Sequence, residues 1–199
     1  ADGLKASYST TGAAIWVSGF GGEGGNNTAY SGVSLTGGNK PAMMTVDKAS
    51  CTRGYVQLGA AIGSGSNYNE FNSGLNAENP ECNYVSDFGG TSSAAPTVAG
   101  VVALMLEANP DLTWRDVKHI LANTSDKIDP TRRVTLGDDE NGENGIAQYE
   151  WETNSAGYEF HNWYGFGKVN AAAAVEFAKT YTADSLGEFV ITDYVSSGE

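Results

Sequence analysis

The chain has 199 residues, 40% of them hydrophobic and 11% aromatic, enough for one globular core and too apolar for a disordered chain. Its 24 acidic and 11 basic residues leave a net charge of −13, which disfavours nucleic acid and anionic membrane surfaces as partners and favours cationic partners, calcium or a saline milieu. No unbroken run of 18 apolar residues occurs, so no membrane-spanning segment is expected.

The first residues, "ADGLKASYS", contain neither an initiator Met nor an apolar signal core, so the chain reads as beginning mid-protein. "AAIWVS" (13–18) and "AMMTV" (42–46) are β-favouring runs of buried-strand length, each bounded by glycine, asparagine or proline. The stretches around them, 21–40 and 58–81, are so rich in Gly, Asn and Ser that they read as loops, with aromatic residues to pack them on a surface. Cys51 and Cys82 lie in such sequence. A bridge between them would contribute roughly 3 to 4 kcal/mol and suits an exported protein, whereas two free thiols are the alternative.

"FGGTSSAAPTVAGVVAL" (88–104) places a glycine pair and three hydroxyls before a stretch, continued to Ala108, that is apolar on every face and therefore predicts a helix buried on all sides. Pro96 is expected within the first turn, where its missing N–H costs no helical bond. Thr113 predicts the cap of a second helix, "WRDVKHILANT", with Asp116 closing a capping box and Trp114, Val117, Ile120 and Leu121 on the core face. "LGDDENGENG" (136–145) reads as a solvated acidic loop that fits no EF-hand spacing. Asn170 predicts the cap of a third helix, "AAAAVEFAKTY", and "LGEFVITDYVSS" from Leu186 reads as a new strand beyond a domain boundary near Asp184.

A serine becomes a nucleophile when it is exposed, has a base beside it and faces donors for the developing oxyanion. The start of a helix offers free N–H groups and the positive end of the dipole beside Ser92, while Gly89 and Gly90 permit a sharp turn. An ordinary N-cap serine is the bland alternative on local grounds.

"GTSSAAPTVAG" (90–100) resembles the nucleophile segment of subtilisin-like serine proteases: Gly-Thr-Ser, one open position, a small residue, another open position, then Pro. "ASYSTTGAAIW", "VVALMLEANPDLTWRDVKHIL" and "NWYGFGKVNAAAAV" extend the likeness, the last two to the kexin and furin branch in particular. The resemblance implies an α/β fold, a doubly wound sandwich with a mostly parallel sheet. Residues 1–184 would supply the C-terminal half of the catalytic domain, and residues 185–199 the linker and first strand of a following P-type β domain. It implies that Ser92 is the nucleophile of a serine endopeptidase acting on peptides or proteins, secreted or periplasmic, with a preference for basic residues by branch membership. The Asp and His of the triad and the oxyanion Asn belong to an upstream segment, so this chain alone should be inactive.

Four further features qualify the resemblance. His119 and His161 do not match the base, and Asn26, Asn27 and Asn83 do not match the oxyanion residue. Thr10 stands where furin-type members carry an acid that helps bind calcium, which puts a structural Ca2+ ion in question. Gly89 replaces an asparagine common among relatives. The rival is a non-catalytic binding or regulatory module with a relic serine; against it, half a parallel sheet would leave an edge and a helix face uncovered.

Overall fold

The computed structural model describes residues 3–6, 8–22, 43–58, 70–132, 134–138 and 144–190. Strands β1 (Met43–Val46) and β2 (Tyr84–Phe88) pair antiparallel and lead into helix α1 (Thr91–Ala108), followed by α2 (Trp114–Thr124). Two hairpins come next, β3 (Val134–Asp138) with β4 (Asn144–Gln148), and β5 (Glu152–Thr153) with β6 (Glu159–Phe160); α3 (Ala171–Thr180) closes the order.

Among the described residues the strand pairings are not the mostly parallel ones expected. All three described sheets are two-stranded and antiparallel, and the parallel element among the described residues is a single bridge between Ser18 and Lys168. Parallel strands need a crossover and neighbours on both sides, whereas among the described residues the 13–18 run, expected as a strand, forms only the bridge at Ser18, with the backbone that feeds α3. Along it, Ser18 N–H donates to Gly167 O at 2.8 Å and Val169 N–H to Ser18 O at 2.9 Å.

The main core lies between the helices. Val101 and Met105 of α1, one turn apart, meet Ala174 and Ala178 of α3, with Ile120, Leu121 and Val169 beside them. Two alanines at i and i+4 make α3 thin enough for close approach. Asn109, just past α1, donates from Nδ2 to the carbonyls of Ala178 and Tyr181, both at 3.0 Å, tying the two helix ends together.

Burial of α1 on all faces is not what the described residues provide. Leu104 is 49% exposed and Leu106 is 38% exposed, because they offer α1 cover on the α3 side and along the 16–20 segment only. By length and mean hydropathy, 1.3 over 18 residues, α1 is also apolar enough to cross a membrane; Ser92, Ser93, Pro96 and Thr97 break the run that would otherwise have revealed it. Here it packs as a domain helix, through Val101 and Met105. The helix also begins at Thr91, so Pro96 is its sixth residue and lies in the second turn. Lacking an N–H, it cannot complete the bond to the Ser92 carbonyl four residues back.

Thr113 and Asp116 form the capping box in both directions: the Thr113 hydroxyl accepts from Asp116 N–H at 3.3 Å and Thr113 N–H donates to Asp116 Oδ2 at 2.8 Å. Trp114, expected in the core, is 64% exposed. As the first helical residue it turns outward and meets Phe189 edge to face at 6.1 Å. The acidic 136–145 stretch, expected as a loop, contributes strand residues on both sides of positions 139–143, which lie outside the described residues.

Residues 184–190 run back across the start of α2. Asp184 N–H donates to Asp116 Oδ2 at 3.0 Å, Arg115 donates to the carbonyls of Gly187 at 2.6 Å and Leu186 at 3.4 Å, and its guanidinium lies 5.1 Å from the Phe189 ring. The strand expected from Leu186 falls largely on 191–199, outside the described residues; 187–190 have no regular structure. Burial alone would raise the Asp116 carboxyl, yet the N–H groups of Asp184 and Thr113, the Thr113 hydroxyl and the Arg115 charge hold it below the ordinary value. Arg115→Ala is expected to speed amide exchange across 185–190 while leaving the global unfolding midpoint nearly unchanged, since its contacts are at the surface. Hydrogen–deuterium exchange by mass spectrometry reads both.

A second, small core surrounds the Cys51–Cys82 disulfide, which closes a 31-residue separation. Cys82 is fully buried with Val56 and Val85, so the bridge has apolar packing that its Asn- and Gly-rich context conceals. Asparagine side chains bond the backbone of β2: Asn79 bonds both the N–H and the carbonyl of Tyr84, and Asn72 accepts from Ser86 N–H at 2.8 Å.

Candidate active site

The candidate site begins where β2 passes into α1. Gly90 has φ 87° and ψ −177°, a conformation that excludes a side chain, and it caps the helix with its backbone alone. Its carbonyl accepts from Ser93 N–H at 3.0 Å and Ala94 N–H at 3.3 Å. The N–H groups of Thr91 and Ser92 therefore remain without acceptors among the described residues, at the positive end of an 18-residue helix. Ser92 is exposed, and its hydroxyl has no hydrogen-bond partner among the described residues. Chemically this is an anion-receptive turn with an unencumbered hydroxyl on it.

Ser93, by contrast, is 3% exposed, and its hydroxyl donates to Phe20 O at 3.2 Å. Below the turn is a cleft of about 300 Å³ whose walls include Tyr8, Thr10, Phe20, Thr91 and Ala94. Ser92 is not among its lining residues; it stands outside. The Tyr8 hydroxyl donates to Gly22 O at the cleft's edge. The contact of segment 18–22 with α1 was not apparent from the sequence. Its signal is the spacing of Gly19, Gly21 and Gly22, a face thin enough to lie on another backbone.

Neither histidine is placed as a base for Ser92. His119 is half-buried on α2 beside the rings of Tyr158 and Tyr181, at centroid distances of 6.4 and 5.8 Å. His161 is 1% exposed: Nδ1 accepts from Trp163 N–H at 3.0 Å, so Nε2 carries the proton and donates to Arg132 O at 2.9 Å. Both ring nitrogens are thus committed, Nδ1 to the turn before α3 and Nε2 to the backbone at Arg132. Asn83 gives its carbonyl to Asp47 N–H; Asn26 and Asn27 lie outside the described residues. Tyr164 stays protonated, its hydroxyl raised by burial and by the bond to Asp129 at 2.7 Å. Asp87, just before the glycine pair, is raised by desolvation and by the neighbouring Asp47 charge.

Among the described residues no group of three or more His, Cys, Asp or Glu side chains is placed to hold a metal ion. Thr10 adds only a hydroxyl at the position expected to help hold calcium. These residues do not by themselves fit that ion, which prefers several carboxylate and carbonyl oxygens.

A profile of the subtilase family matches residues 5–167, with the Gly90 turn and Ser92 inside it. The chain belongs to the subtilase family. The Aeromonas extracellular serine protease of Aeromonas sobria is 32% identical over 185 residues, covering 91% of this chain and 27% of that protein. The dibasic-processing endoprotease of Schizosaccharomyces pombe is 35% identical over 127 residues, 63% of this chain and 15% of that protein. Human proprotein convertase subtilisin/kexin type 6 is 43% identical over 94 residues, 47% of this chain and 8% of that protein, so the relatives include the kexin-like branch. A crystal structure of the Aeromonas sobria serine protease superposes with a TM-score of 0.72 at 30% identity, over 92% of this chain and 28% of that one; a subtilisin-like α/β fold follows. This subtilase chain spans about a quarter of the length of the Aeromonas relative.

Beside the site, Asp126 braces the start of α3. It pairs with Lys168 Nζ at 2.9 Å and accepts from Asn170 Nδ2 at 2.9 Å, while Asn170 Oδ1 caps the helix by accepting from Ala173 N–H at 3.0 Å. The Lys168 bond and the Asn170 amide hold the Asp126 carboxyl below its ordinary value of 3.8 despite partial burial. A depressed folded value means that the stabilisation is complete above the unfolded carboxylate value, about 3.9, and is lost as pH falls through the lower, folded one. Asp126→Asn is therefore expected to lower the thermal midpoint at pH 6 by more than at pH 2.5, in a melting series run on both proteins.

Proposed function

We propose that this chain carries the nucleophile of a secreted, kexin-like serine endopeptidase that cleaves peptides or proteins after basic residues. The observation that carries the reading is Ser92 itself: an exposed, unbonded hydroxyl on a helix start with two open N–H groups, on the residues that match the family's nucleophile segment. In this reading Ser92 Oγ attacks the substrate carbonyl as a histidine takes its proton, and an aspartate holds that histidine. The oxyanion is received by Ser92 N–H and an asparagine amide. The amine leaves with the histidine's proton, and water then hydrolyses the acyl-serine.

Histidine, aspartate and asparagine come from an upstream segment; the commitments of His119 and His161 support that division. Preference for basic residues draws support from the dibasic-processing relative and from the −13 charge. Secretion is supported by the Cys51–Cys82 disulfide and the extracellular relative. A neighbouring structure of the Aeromonas sobria protease holds a chaperone, which makes a protein partner part of the reading. Calcium would need carboxylates beyond the described residues.

The rival, a binding module with a relic serine, is favoured by the lack of a base near Ser92 among the described residues. Fluorophosphonate labelling separates the two. Ser92 should stay unlabelled in this chain alone and become labelled when the upstream coding sequence is included; no labelling of the extended, folded polypeptide would defeat the enzyme.

A further inference from the structure

Successive side chains on a helix diverge by about 100°, so the turn that buries one of two adjacent serines presents the other. Ser92 is exposed and Ser93 is 3% exposed. What holds the turn in this rotation is on the Ser93 side. The Ser93 hydroxyl reaches 73 positions back along the chain to donate to Phe20 O at 3.2 Å. No other side chain of the first turn hydrogen-bonds segment 18–22 among the described residues. Gly19 fits beneath: a Cβ there would stand 2.5 Å from Ala94 O and 3.0 Å from Val98 Cγ2.

The turn needs such an anchor because Pro96 removes the helical bond to the Ser92 carbonyl. The anchor is itself fixed. Residue 18 is bonded on both sides to the backbone at Gly167 and Val169, just ahead of α3, so a continuous set of restraints runs from α3 through Phe20 to Ser93.

The geometry points to Ser93 as a positioning residue: its bond to the Phe20 carbonyl sets the rotation of the first turn of α1 and thereby the direction in which the Ser92 hydroxyl is presented. This rests on Ser92 being the nucleophile. The Gly-Thr-Ser motif leaves position 93 open, so the tie belongs to this chain's own packing and not to the motif.

The test uses the polypeptide extended upstream, with Ser93→Ala and Ser93→Cys, the latter keeping the volume with a weaker donor. Active-site titration gives kcat per competent site, and fluorophosphonate labelling gives the reactivity of Ser92. Ser93→Ala is expected to lower both by about tenfold, the scale of a small misplacement of a reacting group, with KM within about twofold. Ser93→Cys should fall between Ser93→Ala and the parent. A purely structural serine would change the melting midpoint and the fraction of competent sites while leaving labelling per competent site at the parent rate, and that result in either variant overturns the inference. A parent protein that folds and is never labelled removes the nucleophile and this inference together; a labelled parent with equally labelled variants removes this inference alone.

Discussion

Alanine in place of Ser92, in the polypeptide extended upstream, is expected to lower peptide hydrolysis by at least about a thousandfold and to abolish fluorophosphonate labelling. It should leave the melting midpoint within a degree or two of the parent. The two halves of that expectation come from one environment. Ser92 is exposed, its hydroxyl bonds to nothing among the described residues, and alanine is the better helix former, so nothing in the fold requires the oxygen. The chemistry does require it, because an acyl-enzyme cannot form without a nucleophile, and the open N–H groups of Thr91 and Ser92 would then stabilise charge on a water-driven reaction only. Steady-state hydrolysis alongside calorimetry gives both quantities. An alanine variant retaining half the parent activity would place the nucleophile elsewhere.

The parts legible in the sequence are those decided within a few residues. The Thr113 capping box and the Asn170 cap are satisfied by partners three positions away, and both form as expected. The β1 strand likewise forms on its apolar run, although it is not the buried strand expected: Met44 and Val46 are exposed. Parts decided at a distance were hidden. The backbone of β2 is bonded by Asn72 and Asn79, residues that locally signal loop. Strands β3 and β4 reach into the stretch read as an acidic loop, at Gly137, Asp138, Asn144 and Gly145, because backbone pairing is indifferent to such side chains. An apolar stretch says that α1 wants cover, but not which face finds it among the described residues; Val101 and Met105 do and Leu104 does not. At the candidate site, the place of Ser92 at the start of a helix was legible from its motif. The inward bond of Ser93 was not, since Phe20 approaches only through the packing of segment 18–22.

Gly165→Ala is expected to be the most destabilising of these substitutions, by about 3 kcal/mol, or roughly 6 to 12 °C in the melting midpoint of a domain this size. Two costs add at this position. Gly165 has φ 62°, where an alanine Cβ costs about 1 kcal/mol or more. The added carbon would also stand 2.9 Å from Ile15 O and closer still to Trp16 O, backbone atoms that cannot swing aside as a side chain would. Gly157 provides the control. Its φ is 86°, yet nothing lies within 4 Å of a Cβ there, so Gly157→Ala should incur the conformational cost alone, about 1 kcal/mol. Paired melting curves isolate the steric cost, and equal losses in the two variants would show that the approach of residues 15 and 16 carries none of it. Because Phe166 N–H donates to Trp16 O at 2.8 Å in this same turn, pushing residues 15 and 16 away from Gly165 also moves the segment that ends at Phe20. The Gly165 variant should therefore lose Ser92 reactivity as well as stability, whereas the Gly157 variant, on the β5–β6 turn, should lose only a little stability.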